Sequence, residues 1–398
     1  MSARTKYSGP ALFSYGFRPF FLSATLFALL VVPVWWLVWR GDVVLSSTFS
    51  PTDWHIHEMV FGYGAAVIAG FLFTAVPNWT GRLPAQGWPL AALLAIWIAG
   101  RLALAGATGL GPIGVAAIDQ LFLVAVAGMI AREIIAGKNW RNLKVLIPVT
   151  LLWLANLAFH IEAMMQGGAD VSRRAGIALL IFLIMLIGGR VVPSFTRNWL
   201  VKRGATALPV PFNRFDGLTL LVSVLALLIW VAAPFSIVNA ASASAAAGVQ
   251  VIRLLRWQGM ATWRSPLLVM LHVAYLLIPA GFLGIAGGAL GIVSPAVGAH
   301  LFGIGAVGGM TVAVMMRATL GHTGRDLVAG PMLTIAFALL MVSAVLRAAD
   351  GTALLSGVNG VGLSAVCWTA AFAVLVLRIG PWLATPNVSR RKPSGGAQ

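Results

Sequence analysis

The sequence predicts an all-α polytopic membrane protein with about twelve transmembrane helices. Of its 398 residues, 60% are hydrophobic and only 9% are charged, and the mean hydropathy is +0.93. Soluble domains usually carry about 25% charged residues, so this composition excludes an ordinary soluble enzyme. The apolar residues fall in runs close to the roughly 20 residues that a helix needs to cross a bilayer, whereas a membrane barrel would show shorter alternating strands. Lys and Arg collect in alternate connections between these runs, as they do in helical membrane proteins.

The apolar runs predict a single integral membrane domain over residues 1–398, with helices from about 18 to 381. The connections are short, and the longest polar one, around 200–216, separates six runs from six. The eighth run is the weakest because it is rich in Ala and Ser. The polar residues 387–398 are expected to form a disordered cytoplasmic tail. The candidate spans are approximately 18–39, 54–78, 88–108, 113–135, 145–165, 175–193, 217–238, 240–257, 266–289, 295–318, 330–349 and 359–381.

Basic residues predict the orientation of the chain. If both termini are cytoplasmic, most of the 27 Lys and Arg residues lie on the cytoplasmic side, as the positive-inside tendency requires. The exceptions are Arg40, Arg173, Arg174 and Arg347 on the other side and Arg101 within the third run. Topology therefore accounts for most of the net charge of +17. Because no basic stripe is interleaved with surface aromatic residues, no nucleic-acid partner is expected.

Two spans share a sequence echo that predicts an internal repeat. The second and tenth spans end in Thr-Gly-Arg, at Thr80–Arg82 and Thr323–Arg325, which are 243 residues apart. His57 and His300 are also 243 residues apart, and a glycine and an alanine in between coincide as well. The sixth span ends in a similar VPSFTRNW segment but has Arg173 where the histidine would fall. Duplication of a multi-helix unit is one explanation, and shared helix-end chemistry is the other.

All six histidines are candidate ligands, because ionisable groups are rare inside membrane spans. The single cysteine, Cys367, leaves any metal to His, Met or carboxylate side chains. Glu58 and Glu162 are close enough in sequence to orient a ligating imidazole. His272 and His322 lie toward the cytoplasmic end and are candidates for a second site or for proton transfer. Four histidines share a depth near the other surface and are candidates for metal as well as haem ligation, with helix packing as the alternative: His55, His57, His160 and His300.

Helix geometry limits how these histidines share a ligand. Residues two apart on a regular helix point about 200° away from each other, so His55 and His57 serve separate partners unless the chain is extended at His55. His57 and His300, each at the start of a glycine-lined span, are the leading candidates for axial imidazoles on one haem iron. His160 is the next candidate, as a copper ligand or an alternative axial group. The glycines would let a flat cofactor lie against the backbone, or they indicate close helix packing.

Arginines near the helix ends are candidate partners for haem propionates, because guanidinium and carboxylate groups pair bidentately. Topology and snorkelling to the interface are the favoured explanation for each of them when it is taken alone. The candidates are Arg18, Arg190, Arg317 and Arg325 at the cytoplasmic rim and Arg173 and Arg174 on the other side.

Four segments together resemble the NnrS family of bacterial inner-membrane proteins. They are SYGFRPFFL at 14–22, WHIHEMVFGYGAAVIAGFLFTAVPNWTGR at 54–82, GGRVVPSFTRNW at 188–199 and HLFGIGAVGGMTVAVMMRATLGHTGR at 300–325. The resemblance runs from about residue 12 to 380. It implies a haem- and copper-containing protein of the bacterial cytoplasmic membrane, tied to denitrification and to relief of nitric-oxide stress. The histidines on the matching segments are His55, His57, His300 and His322.

Three functions stay open on the sequence. The first, which the resemblance favours, is a protein with haem b, and with copper as a further metal, that binds or reduces nitric oxide and relieves nitrosative stress. A reductase of this kind would be a haem-dependent oxidoreductase and would need electrons from a quinol or a periplasmic carrier. The second is a twelve-helix secondary transporter, although buried carboxylates are few. The third is a non-catalytic accessory protein or sensor that binds nitric oxide.

Overall fold

The computed structural model describes residues 7–352 and 359–388, and within them the chain forms twelve long helices and no strand. Eleven of these are long and apolar enough to cross a membrane, and the other, Trp88–Leu104, has 17 residues. The predicted all-α polytopic fold is therefore confirmed. The helices are α1 Phe17–Arg40, α2 Pro51–Thr80, α3 Trp88–Leu104, α4 Pro112–Ala136, α5 Leu146–Gln166, α6 Asp170–Val201, α7 Arg214–Ala232, α8 Ile237–Leu255, α9 Pro266–Ala289, α10 Ala296–His322, α11 Gly330–Asp350 and α12 Gly360–Ala384.

The largest difference from the predicted boundaries is α6, which runs Asp170–Val201 rather than about 175–193, and another is the end of α3, which stops at Leu104 rather than near residue 108. Gly106 has a φ of 81°, and its N–H donates back to the carbonyl of Ala103. A glycine in this left-handed conformation is a common way to end a helix. The run expected to be weakest forms a regular helix, α8, which is one of the eleven membrane candidates. The predicted tail lies outside the described residues except for Asn387 and Val388.

The helices close into a ring in which the last one packs on the first. Consecutive helices contact one another, and α12 lies against α1. Across this contact the Trp368 indole donates to the carbonyl of Ala28 at 2.8 Å. Toward the predicted cytoplasmic end, the buried Arg18 guanidinium donates to the carbonyls of Leu383 and Thr385 at 2.8 and 2.7 Å. One arginine thus ties the start of the first helix to the end of the last.

Two helices, α2 and α10, share an irregularity at the same point of the sequence echo. Each contains a π-helical stretch, Glu58–Gly64 in α2 and Leu301–Gly308 in α10. Each stretch begins directly after a histidine that the echo aligns, His57 or His300. A π-helical turn holds an extra residue, and such turns are frequent at functional sites. This coincidence supports the internal repeat that the sequence predicts.

The alternating direction of the helices gathers certain helix ends on one side of the bundle. Short connections join neighbours that pack together, so neighbours run antiparallel. The starts of even-numbered helices therefore share a side with the ends of odd-numbered ones. His57 and His300 lie on this side, which the Lys and Arg distribution predicts to be non-cytoplasmic.

Candidate cofactor and metal sites

His55 and His57 face different parts of the bundle, as their spacing predicts. The ring of His55 stacks on the indole of Trp35 in α1, with centroids 4.2 Å apart. His57 is fully buried on the side of α4 and α5, and its Nε2 lies 2.8 Å from Oδ1 of Asn156. The two histidines therefore belong to two separate groups of side chains.

The first group, termed the Arg101 cluster, is buried and consists of His57, Glu58, Arg101, Asp119, Asn156 and His160. Arg101 donates to Oε2 of Glu58 at 2.7 Å and also to Oδ1 of Asp119. Asn156 donates to Oδ2 of Asp119 at 2.7 Å. The cluster therefore joins four successive helices, α2 to α5, through one guanidinium, two carboxylates and an amide.

Two imidazoles share the Asp119 carboxylate in this cluster. Oδ2 of Asp119 lies 3.1 Å from Nε2 of His160 and 3.3 Å from Nε2 of His57. One ligand atom from each of these three residues lies within 4.8 Å of the other two, a spacing that could hold a metal ion. Two carboxylates face a single guanidinium here. Because an uncompensated buried charge is costly, a proton on an imidazole or a bound cation would balance the cluster.

The second group surrounds a cavity of about 140 Å³, termed the His55–His300 cavity. Its wall is mainly apolar and is built by α1, α2, α6, α10, α11 and α12. A mainly apolar cavity with a few polar side chains is the usual form of a small-molecule site. No carboxylate is found among the described residues of this wall. Its histidine, arginine and hydroxyl side chains are His55, Tyr63, His300, Ser343, Arg347 and Ser364.

Both histidines of the cavity have ring nitrogens that are available to a ligand. His300 donates from Nδ1 to the carbonyl of Ala296 at 2.8 Å, which leaves Nε2 with its lone pair. His55 has no hydrogen-bond partner among the described residues, and its Nδ1 is buried. A Cβ added to Gly303 would meet nothing within 4 Å, so the backbone of α10 borders open space beside them. Buried polar atoms without partners are rare, which makes this cavity a strong candidate for a bound group.

The sequence as a whole identifies the family of the protein. The family model described as NnrS protein matches residues 11–387 of the chain. The chain belongs to the NnrS family. No curated protein matches it. Because the match covers nearly the whole chain, both groups of side chains lie within the family region of this NnrS protein, whose family is associated with the nitric-oxide response.

The histidines of this NnrS protein are paired differently from the sequence expectation that His57 and His300 meet at one iron. His300 lines the cavity with His55, whereas His57 lies in the Arg101 cluster with His160. Within the part of the chain that the structure describes, no contact joins His57 to His300. The echo therefore relates two separate groups of side chains, one around each histidine.

The two histidines expected nearer the cytoplasm lie apart from both groups. His272 donates from Nδ1 to the carbonyl of Leu268 at 2.9 Å, and its ring fills the space beside Gly259. His322 is exposed at the end of α10, with its ring stacked near Tyr15. A second site or proton transfer at these residues stays a prediction.

Glu162 and the predicted propionate partners also lie away from the cavity of this NnrS protein. Glu162 accepts hydrogen bonds from the backbone at the start of α6 rather than from His160. Arg173 pairs with Asp170 at 2.5 Å, and Arg174 donates to the carbonyl of Val231 at 3.1 Å. Arg18 binds the end of α12, as described above. Three further arginines lie over aromatic rings: Arg190, Arg317 and Arg325.

Sequence reasoning did not select the arginines that the two groups contain. Arg101 and Arg347 lie in the Arg101 cluster and in the cavity wall, respectively. A signal for both was present, because they are exceptions to the cytoplasmic placement of basic residues. Asp119 and Asn156 stood out only as isolated polar residues in apolar runs, and nothing local indicated that they would meet.

Proposed function

We propose that this protein holds haem b in the His55–His300 cavity and there binds or reduces nitric oxide, as part of the response to nitrosative stress. One observation carries the proposal, namely that available imidazole nitrogens on two helices line one mainly apolar cavity. Haem iron takes one or two axial side-chain ligands, commonly histidine, and helix bundles supply them from facing helices. Family membership supports a role in the nitric-oxide response in general.

The chemistry of the cavity residues fits such a group. His55 and His300 would supply nitrogen ligands, and the open space beside Gly303 would accept the edge of a flat ring. Trp35 would hold the His55 ring in place through the stacking contact. When bound, haem would supply an iron centre that takes up nitric oxide and accepts electrons. The apolar wall would exclude water and admit a small neutral gas from the bilayer.

Copper, which the resemblance implies, has its best donors in the Arg101 cluster. His57, Asp119 and His160 offer two imidazoles and a carboxylate within a small volume. Imidazole nitrogens suit copper, and a bound cation would balance the excess carboxylate of the cluster. We therefore assign copper, as a second proposal, to these three residues rather than to the cavity.

The protein is proposed to lie in the inner membrane with both termini in the cytoplasm. The Lys and Arg distribution supports this orientation. A reporter that works only in the cytoplasm should be active when it is fused after Gln398. If a reporter that works only in the periplasm is active at the same position, the proposed orientation is wrong.

The haem proposal is tested by purifying His55→Ala and His300→Ala proteins from haem-replete cells. Each should lose or shift the Soret band, and added imidazole should restore part of it by filling the vacated position. His272→Ala is the matched control and should keep the wild-type spectrum, because that buried histidine lies outside the cavity. If both cavity variants keep the wild-type haem content and spectrum, the assignment is wrong.

A further pair of measurements separates the candidate functions. A colourless, haem-free wild-type preparation would contradict the proposal and favour the secondary transporter. Consumption of nitric oxide with an artificial electron donor would favour a reductase. Binding of nitric oxide without consumption would favour the accessory or sensor role. The natural electron donor, a quinol or a periplasmic carrier, would then be sought for the reductase.

A further inference from the structure

Arg347 lies within one helical turn of the position that the sequence echo relates to Arg101. Each arginine lies in the last turn of the helix that follows a π-helical stretch, Arg101 in α3 and Arg347 in α11. They are 246 residues apart, close to the 243 residues that separate His57 from His300. Arg347 lines the same cavity as His300, just as Arg101 lies in the same cluster as His57.

The two carboxylates that bind Arg101 have no counterparts beside Arg347. The residue 243 positions after Glu58 is Leu301, and the residues 243 to 246 positions after Asp119 are Gly362, Leu363, Ser364 and Ala365, none of which is acidic. Ser364 lines the cavity, but it is hydrogen-bonded to Ser343, with the two hydroxyl oxygens 2.9 Å apart. The chain thus repeats the guanidinium but omits both of its anionic partners.

The hydrogen bonding of Arg347 is correspondingly incomplete. Its side chain is only 17% exposed, and its Nε, like that of Arg101, is buried without a hydrogen-bond partner. Its ion pair is with Asp350, one turn later on the same helix, at 3.3 Å from Nη1. Since no carboxylate lines the described wall of the cavity, the guanidinium and two imidazoles meet no negative charge inside it. A mostly buried cation of this kind is stabilised when an anion joins it.

We infer that Arg347 binds a carboxylate carried by the ligand of the His55–His300 cavity, which on the proposed function is a propionate of haem b. An arginine matches a carboxylate with two parallel N–H donors, a geometry that fixes orientation as well as charge. Arg347 lies near the end of α11 and shares the cavity wall with Gly303, so these residues would hold the carboxylate and the ring of such a ligand, respectively. The ligand brings to this unit the negative charge that Glu58 and Asp119 bring to the other.

The inference rests on haem binding, so the test separates the two. Purified protein freed of haem is titrated with haem b and with its dimethyl ester, in which both propionates are blocked. The Soret band reports binding and axial ligation for each compound. Wild-type protein should bind the free acid about tenfold or more tightly than the ester, as expected for charge-assisted hydrogen bonds.

Arg347→Gln should bind the two compounds with similar affinity and with an unchanged Soret position, because the imidazoles are intact. Arg347→Lys should keep part of the preference, since it keeps the charge but loses the two-donor geometry. Arg40→Gln is the control, because Arg40 lies near the same predicted surface and also pairs with a nearby aspartate, Asp42, but lies outside the cavity.

Each outcome decides one of the two proposals. If wild-type protein binds neither compound, the proposed haem function fails. If both compounds bind and the preference is absent in wild type, or persists in Arg347→Gln, haem binding stands and the role of Arg347 is wrong. If Arg347→Gln does not fold, the wild-type preference and its weakening in Arg347→Lys decide the question.

Discussion

The Arg101 cluster and the His55–His300 cavity, which the sequence echo relates to each other, differ in that, among the described residues, only the first contains carboxylates. Both contain a histidine that precedes a π-helical stretch and an arginine in the last turn of the following helix. In the first, two carboxylates pair with the arginine and an amide binds His57, although Nδ1 of His57, Oε1 of Glu58 and Nε of Arg101 have no hydrogen-bond partner. In the second, no carboxylate lines the described wall, and Nδ1 of His55 has no hydrogen-bond partner. The first region thus contains its own anions, whereas the described part of the second does not.

The energetic consequences of the two arrangements differ in kind. The Arg101 cluster contributes to the stability of the chain itself, because removal of one partner leaves the others buried and uncompensated. The cavity contributes little until a ligand enters, and the binding energy of that ligand then adds to the stability. The Arg101 cluster therefore contributes to folding, whereas the cavity would contribute to ligand binding.

The largest expected effect is on the closed site. Asp119→Ala removes a partner from Arg101, Asn156 and His160 at once and should lower the free energy of unfolding by about 3–5 kcal/mol. Ser364→Ala, at the corresponding position, loses a hydroxyl hydrogen bond and should cost only about 1 kcal/mol. Denaturant unfolding of the two purified variants in detergent measures both values. Equal losses would contradict the difference drawn between the two regions.

Metal binding should divide between the two regions. His160→Ala should weaken copper binding at least tenfold, because it removes one of three donors, and should leave the Soret band unchanged. His300→Ala should lose or shift the Soret band and should leave copper binding unchanged. Metal analysis and visible spectra of the same preparations check both statements. If folded His160→Ala protein loses haem, haem binding depends on the Arg101 cluster, and the division between the two sites is wrong.

The difference between the two regions can be tested by introducing a carboxylate into the cavity. Ser364→Asp would place a carboxylate in the cavity wall that also contains Arg347 and should lower haem affinity about tenfold, by competition and by charge repulsion. Ser364→Asn has the same shape without the charge and should retain most of the affinity. Haem titrations of the two variants measure the difference. Similar losses in both would mean that volume, not charge, matters at this position.

The smallest effect concerns the glycines of α10. A Cβ at Gly303 meets open space, so Gly303→Ala should change the stability of the haem-free protein by less than about 1 kcal/mol while weakening haem binding a few-fold. A Cβ at Gly305 would lie 2.6 Å from Leu277, so Gly305→Ala should destabilise the protein by about 1–3 kcal/mol. Thermal unfolding and haem titration compare the two. A haem affinity that Gly303→Ala leaves unchanged would place the ring elsewhere.

The sequence was sufficient for the fold because the bilayer imposes a length and a polarity on each helix. The twelve runs and the divergence of His55 from His57 both follow from local geometry. The partners of these histidines did not follow, since they depend on which helices the ring brings together. His55 stacks on Trp35 and lines the same cavity as His300 because α1, α2 and α10 converge there. The echo was visible in the sequence, but it does not say whether His57 and His300 lie together, and in the structure they belong to different groups of side chains.

The contact between α12 and α1 also sets an order of assembly. All side chains of the Arg101 cluster lie in α2 to α5, so that cluster can form while the later helices are still being synthesised. The cavity wall includes α12, the last helix, and α1, the first, which Arg18 joins to the end of the chain. Any group that fills the cavity must therefore be loaded after synthesis of the chain is nearly complete. A polypeptide truncated before Gly360 would keep the Arg101 cluster but would lose both the hydrogen-bond partners of Arg18 and the last wall of the cavity.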